Sequence, residues 1–186
     1  MWTRRSFLML PPVAGLGALT AGTTSLALTG CAGTTGQMPP SLRHPLAGYP
    51  APDFEARNAL SSDTVSVPGP PDTTMVTVVD FWASWCEACV IAMPSLERLH
   101  RRHRDSGVQV VGISVDEEPR NALGTVMAYQ TSFPIVLDPH GRIQSAYAVS
   151  KIPTTFVIDR NGLIRWVGRD PDTLDRAVAR LLAITK

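Results

Sequence analysis

The sequence predicts an α/β domain: a central mixed β-sheet flanked by helices on both faces, behind an N-terminal extension. Three observations carry this. Two β-branched apolar runs, Met75–Phe81 and Val108–Val115, read as strands buried on both faces. A helical pattern fills the interval between them, which is how parallel strands are joined. Downstream, Arg160-Asn161-Gly162 joins Thr154–Asp159 to Leu163–Val167 as a hairpin, which adds antiparallel strands to the sheet.

The elements follow in order. Residues 1–30 read as an export signal. Thr3-Arg4-Arg5-Ser6-Phe7-Leu8 precedes a mildly apolar stretch that ends at Leu28-Thr29-Gly30-Cys31. This resembles a twin-arginine signal joined to a lipobox, which implies cleavage before Cys31 and lipid on its sulfur. The paired arginines also fit the basic start of a general secretory signal, and both routes stay open. A membrane-spanning helix fits less well, because Pro11, Pro12 and four glycines interrupt the stretch. Residues 31–51 are rich in Gly, Thr, Pro and Ser and read as a flexible tether. The folded domain is expected over 52–186, from Pro52-Asp53-Phe54 onward.

Within the domain, Val65–Val67 is a short strand stopped by Pro68-Gly69-Pro70-Pro71. Met75–Phe81 is the first long strand. Residues 87–104 form a helix with apolar Val90, Met93, Leu96 and Leu99, and Pro94 lies inside it. After the strand Val108–Val115, Pro119–Gln130 is a helix with proline in its first turn. Pro134–Leu137 is a short strand and Ile143–Ala148 a short helix. After the hairpin, residues 172–184 close the domain as an amphipathic helix with Leu174, Val178, Leu181 and Leu182.

Composition narrows the function. The chain has 186 residues, 44% of them hydrophobic, enough for one ordinary core plus extensions. Formal net charge is +1, and Arg4 and Arg5 are the only charges in the first 30 residues, so removing those residues leaves −1. Such a balance gives no sign of nucleic acid or of an acidic substrate. Cysteines are three: Cys31, Cys86 and Cys89.

The chemistry concentrates in Trp85-Cys86-Glu87-Ala88-Cys89. Two cysteines three apart at a helix start can close a disulfide without moving the backbone. At a helix N-terminus, free N–H groups and the macrodipole favour the thiolate, the species that attacks disulfides. The motif therefore points to thiol–disulfide exchange, with the Cys86–Cys89 pair itself as redox centre and no added cofactor. Zinc also uses this spacing but needs four ligands, and no further cysteine follows. His100 and His103 lie three apart among Arg101, Arg102 and Arg104. They read as a solvated basic helix end rather than as ligands, so no metal is expected.

The surroundings sharpen the motif. The run Val79-Asp80-Phe81-Trp82-Ala83-Ser84-Trp85-Cys86-Glu87-Ala88-Cys89, with Pro94 five residues on, resembles the thioredoxin active site. Lys151-Ile152-Pro153-Thr154-Thr155-Phe156 resembles the cis-proline loop of the same superfamily. The extra βα unit starting at Gly112-Ile113-Ser114-Val115-Asp116 is similar to the one inserted in TlpA/ResA-type membrane-anchored thioredoxins and in the AhpC/TSA-like peroxiredoxins. The resemblance implies a thioredoxin fold with an inserted βα unit. Peroxiredoxins use Thr-x-x-Cys. Here that threonine position is Cys86, which favours disulfide exchange over peroxide reduction.

On this resemblance Cys86 is the attacking thiol and Cys89 the more buried resolving thiol. Pro153, if cis, sets the backbone of Ile152 beside the sulfurs, where an extended partner segment can pair. Trp82 and Trp85 wall the site, Trp82 serving packing or function alike. Asp80 is costly inside an apolar strand unless it has a task or a partner. The expected task is to take the proton of Cys89, and the alternative is a hydrogen-bonded structural acid. TlpA/ResA-like chains more often have asparagine here and a functional glutamate three residues after the second cysteine. That second position is Ala92, so Asp80 stands in for the missing carboxylate. Ala88 also departs from the usual proline.

The resulting expectation is a monomeric, membrane-anchored lipoprotein thiol–disulfide oxidoreductase facing the periplasm, on the inner or outer membrane. It exchanges electrons with disulfide- or dithiol-bearing exported proteins and with an upstream thiol donor. Reduction of partners is the direction the resemblance implies, and cytochrome c maturation is one setting for it. The rivals are a thiol peroxidase and a non-catalytic copper or metal chaperone using Cys86 and Cys89 as soft ligands.

Overall fold

A computed structural model of the chain describes residues 37–184. Cys31 and the export signal lie outside the described residues. Five strands form one sheet: β3 (Val76–Trp82), β4 (Val108–Ser114), β5 (Ile135–Leu137), β6 (Thr154–Asp159) and β7 (Ile164–Gly168), in the order β5-β4-β3-β6-β7. β3, β4 and β5 run parallel, while β6 is antiparallel to β3 and β7 to β6. A separate hairpin pairs β1 (Phe54–Arg57) with β2 (Thr64–Val67). β1 is an addition to the sequence reading, in which Phe54 only marks the start of the domain.

All seven residues of β3 are buried, as a central strand covered on both faces requires. Alternation sorts them. Val76, Val78 and Trp82 join a core with Cys89, Met93, Leu96 and Leu99 of α1 (Glu87–His103) and with Leu174, Val178 and Leu181 of α4 (Pro171–Ile184). Ala122 and Val126 of α2 (Pro119–Ala128) belong to that same core. Val79 and Phe81 face the other way, into a core with Phe156, Ile158 and Tyr147, which follows α3 (Arg142–Ala146). Fully burying a side chain of this size contributes on the order of 1.5–3 kcal/mol.

Residues 37–51 correct the tether expectation. The Leu42 N–H donates to the Val167 carbonyl at 2.7 Å, Gly48 N–H to Ile164 at 2.9 Å, and Ile164 N–H to Tyr49 at 3.0 Å. The Trp166 indole donates to the Pro40 carbonyl at 2.9 Å, and the Ser41 hydroxyl accepts from Val167 N–H at 2.9 Å. This strap covers the open edge of β7, so folded structure begins before residue 52. The physical reason is that an unpaired sheet edge needs backbone partners, and this Pro-rich segment supplies N–H groups, carbonyls and the Ser41 hydroxyl without being a strand.

Candidate thiol–disulfide active site

Cys86 is the N-cap of α1 and Cys89 lies one turn in. Their sulfurs are bonded, with the two Cα atoms 5.2 Å apart. The Cys89 N–H, one of the donors a helix start leaves unpaired, points at Cys86 Sγ from 3.2 Å. Once the disulfide opens, that N–H and the helix dipole both favour a thiolate on Cys86. The expected order of exposure is present with a narrow margin: Cys86 is 9% exposed and Cys89 1%. Glu87 begins the helix on the exposed side.

The two tryptophans separate. Trp82 is buried in the core beneath α1. Trp85 is 70% exposed although it directly precedes Cys86, so it presents a large apolar ring to whatever approaches the sulfurs. The Ile152–Pro153 bond is cis. Ile152 packs against the core cluster that holds both cysteines. Its backbone N–H and C=O engage nothing among the described residues.

Asp80 sits between Val78 and Trp82 on the α1 side of β3 and is 4% exposed. Among the described residues its carboxyl accepts one hydrogen bond, from the Thr155 hydroxyl, 2.6 Å from Oδ1 and directly across the β3–β6 register. Burial pushes its pKa up to about 7, and the Thr155 hydroxyl only partly offsets that. A cavity of about 10 Å³ touches Asp80, Ala92, Pro153, Thr155 and Arg169. Ala92 therefore faces the same small space as Asp80.

Two groups escape the sequence reading and a third departs from it. Asp116, 3% exposed, accepts from Ser84 N–H at 2.9 Å, from the Ser84 hydroxyl at 2.6 Å and from the Ser114 hydroxyl at 2.8 Å. It thereby fixes the loop that carries Trp85 and Cys86. The available signal was Ser114-Val115-Asp116 at the end of β4, because Ser114 pairs with Trp82 in the register. Arg169 Nε donates to the Pro153 carbonyl at 2.9 Å and ties the end of β7 to the cis-proline loop. His100 is not the solvated basic residue expected. It is half-buried, with its ring 6.2 Å from that of Phe133, because position 100 continues the buried Met93–Leu96 stripe of α1. Burial lowers its pKa. Among the described residues no group of three or more His, Cys, Asp or Glu side chains is placed to hold a metal ion.

A helix-capping CxxC disulfide, a cis-proline loop and a buried acid on the strand between them make a thioredoxin-type centre. The family model described as AhpC/TSA matches residues 47–167. The chain belongs to the AhpC/TSA family. Within this family it is similar to the thiol-disulfide oxidoreductase ResA of Oceanobacillus iheyensis, 30% identical over 130 residues, which cover 69% of this chain and 68% of that one. The ResA of Geobacillus thermodenitrificans is 33% identical over 87 residues, 47% of this chain, and the match spans only half of that relative's length. A crystal structure from Chlorobium tepidum, assigned as a thiol:disulfide interchange protein DsbE, superposes with a TM-score of 0.65 at 28% identity. That alignment covers 73% of this chain and 97% of the other. This AhpC/TSA-family member is a ResA-like thiol–disulfide oxidoreductase with the Cys86–Cys89 disulfide as its redox centre.

Proposed function

We propose that the chain reduces disulfides in exported proteins. The Cys86–Cys89 disulfide at the head of α1, with Cys86 outermost, carries the reading. In the dithiol form the Cys86 thiolate attacks one sulfur of a partner disulfide. A mixed disulfide forms and the other partner sulfur leaves as a thiolate. Cys89, its proton taken by Asp80, attacks Cys86 Sγ and expels the second partner thiolate. Two electrons pass to the partner, and the disulfide seen here is the product. An upstream thiol donor restores the dithiol. Trp85 and the free backbone of Ile152, beside Pro153, form the surface on which an extended partner segment docks.

The site of action is the outer face of a membrane, reached through the export signal in residues 1–30 and held by lipid on Cys31. No helix among the described residues is long and apolar enough to cross a membrane. Mass spectrometry of the mature N-terminus tests it: a lipid-modified Cys31 is expected, and an unmodified chain starting elsewhere refutes the anchor.

The test of the exchange order is covalent trapping. Cys89→Ser is expected to accumulate mixed disulfides with partners on non-reducing gels, and Cys86→Ser to form none. Adducts with Cys86→Ser alone would reverse the assignment of the two thiols.

A further inference from the structure

The near-zero net charge of the chain hides a local concentration of cations. A cleft of about 150 Å³ lies where the strap meets the cis-proline loop. Arg43 lines it from the strap, Lys151 from the loop and Arg169 from the end of β7. No aspartate or glutamate lines it. Arg43 and Lys151 are exposed, and their side chains make no hydrogen bond or ion pair among the described residues; Lys151 engages only its backbone carbonyl, which accepts from the Thr154 hydroxyl. Arg169 gives its Nε to the Pro153 carbonyl, and its two terminal nitrogens have no partner among the described residues. The ion pairs of the described chain engage Arg101, Arg102, Arg104 and Arg165 instead. Asp170, next in sequence, is turned away to cap α4 through the Thr173 N–H and hydroxyl. His44 also lines the cleft, and burial lowers its pKa, which disfavours a positive charge there.

We propose that this cationic cleft selects partner segments carrying acidic side chains next to their cysteine. The inference rests on the exchange reading above and adds a substrate class to it. Three unpaired cations from three elements, with no acid among them, form a positive field that attracts carboxylates and disfavours basic segments. The cleft is continuous with the proposed docking edge: Lys151 precedes Ile152, and Arg169 holds the carbonyl of Pro153. A segment paired to the Ile152 backbone therefore runs on past these cations. The recess favours a peptide over a lipid surface, since a membrane meets cations that protrude from a protein.

The test uses the full chain and three disulfide-bonded peptides that differ only beside the cysteine: neutral, with two glutamates, or with two lysines. At low ionic strength the wild type is expected to favour the acidic over the neutral peptide by about three- to tenfold in kcat/KM, as exposed charge pairs allow. The difference resides in KM and fades by about 0.5 M salt. The Arg43→Gln, Lys151→Gln double variant loses the preference and turns over the neutral peptide as before. The charge-conserving Arg43→Lys, Lys151→Arg variant keeps it. Equal kcat/KM for acidic and neutral peptides in the wild type overturns the proposal, as does a preference that survives in the Gln variant. Loss of binding to phosphatidylglycerol vesicles in the Gln variant, with no peptide preference in the wild type, makes the cleft a lipid contact and overturns it too. Failure to reduce even the neutral peptide counts against the exchange reading itself.

Discussion

Asp80 and Glu97 are both buried carboxyls on the α1 side of the sheet, 4% and 8% exposed, yet their environments drive them in opposite directions. Burial disfavours the anion at each. Around Glu97 the Ser132 hydroxyl donates at 2.6 Å, the Ser132 N–H at 2.8 Å and Arg101 Nε at 2.5 Å. These donors outweigh burial, and the pKa falls below the ordinary glutamate range. Around Asp80 there is one hydroxyl, and the pKa rises to about 7. A saturated buried acid is a brace: Glu97 ties α1 to the turn before β5, as Asp116 ties the Cys86 loop to β4. An unsaturated one remains able to take and give a proton at neutral pH, which is the property a base for Cys89 needs.

The comparison can be broken at either acid. The largest expected effect is on stability at Asp80. Its native pKa is above the unfolded one, so the unfolded chain releases the proton first as pH rises from about 4. The cost to the fold grows up to about pH 7 and then stays constant. Asp80→Asn is expected to stabilise the fold by up to about 4 kcal/mol above pH 7 and by nothing below pH 4, measured by urea unfolding across pH. A variant that is less stable at every pH would show that the carboxylate is satisfied by groups other than Thr155.

Glu97→Gln should act with the opposite sign. Its carboxylate is favoured by folding, so its contribution is present above the unfolded glutamate pKa and is lost as pH falls through the lower native value. A loss of about 1.5–3 kcal/mol is expected at neutral pH, shrinking in acid, as for charge-assisted hydrogen bonds elsewhere. The smallest effect belongs to Thr155→Val. Removing the one donor to Asp80 should raise its pKa further and move the pH profile of partner release upward, with less than about a tenfold change in rate at pH 7.

Much of this molecule is legible in the chain because the relevant signals are local. The CxxC pair, the apolar runs and the Arg160-Asn161-Gly162 turn each act within a few residues, and each lies where expected. Asp80 is recognisable as a buried acid because it interrupts an apolar run. Its partner Thr155, 75 positions away, needs the strand register. Asp116 was missed for the same reason, since Ser84 meets it only when β3 and β4 align. Glu97 looks like one more polar residue of a charged helix face, because nothing in the helical period announces Ser132 opposite it. Residues 37–51 carry a linker's composition but bind through backbone and hydroxyl groups, which hydrophobic patterning does not register.

The claim that Asp80 serves Cys89, and not Cys86, is tested most directly by single-turnover reduction of a disulfide peptide, followed across pH in the wild type and Asp80→Asn. Formation of the mixed disulfide and its resolution are read separately. The expected result is a resolution step that slows on the order of a hundredfold in the variant, as loss of a general base does. That step should also lose its dependence on a group titrating near pH 7, while mixed-disulfide formation stays within a few-fold of wild type. Equal slowing of both steps, or unchanged resolution, would contradict the account and leave Asp80 as a structural acid.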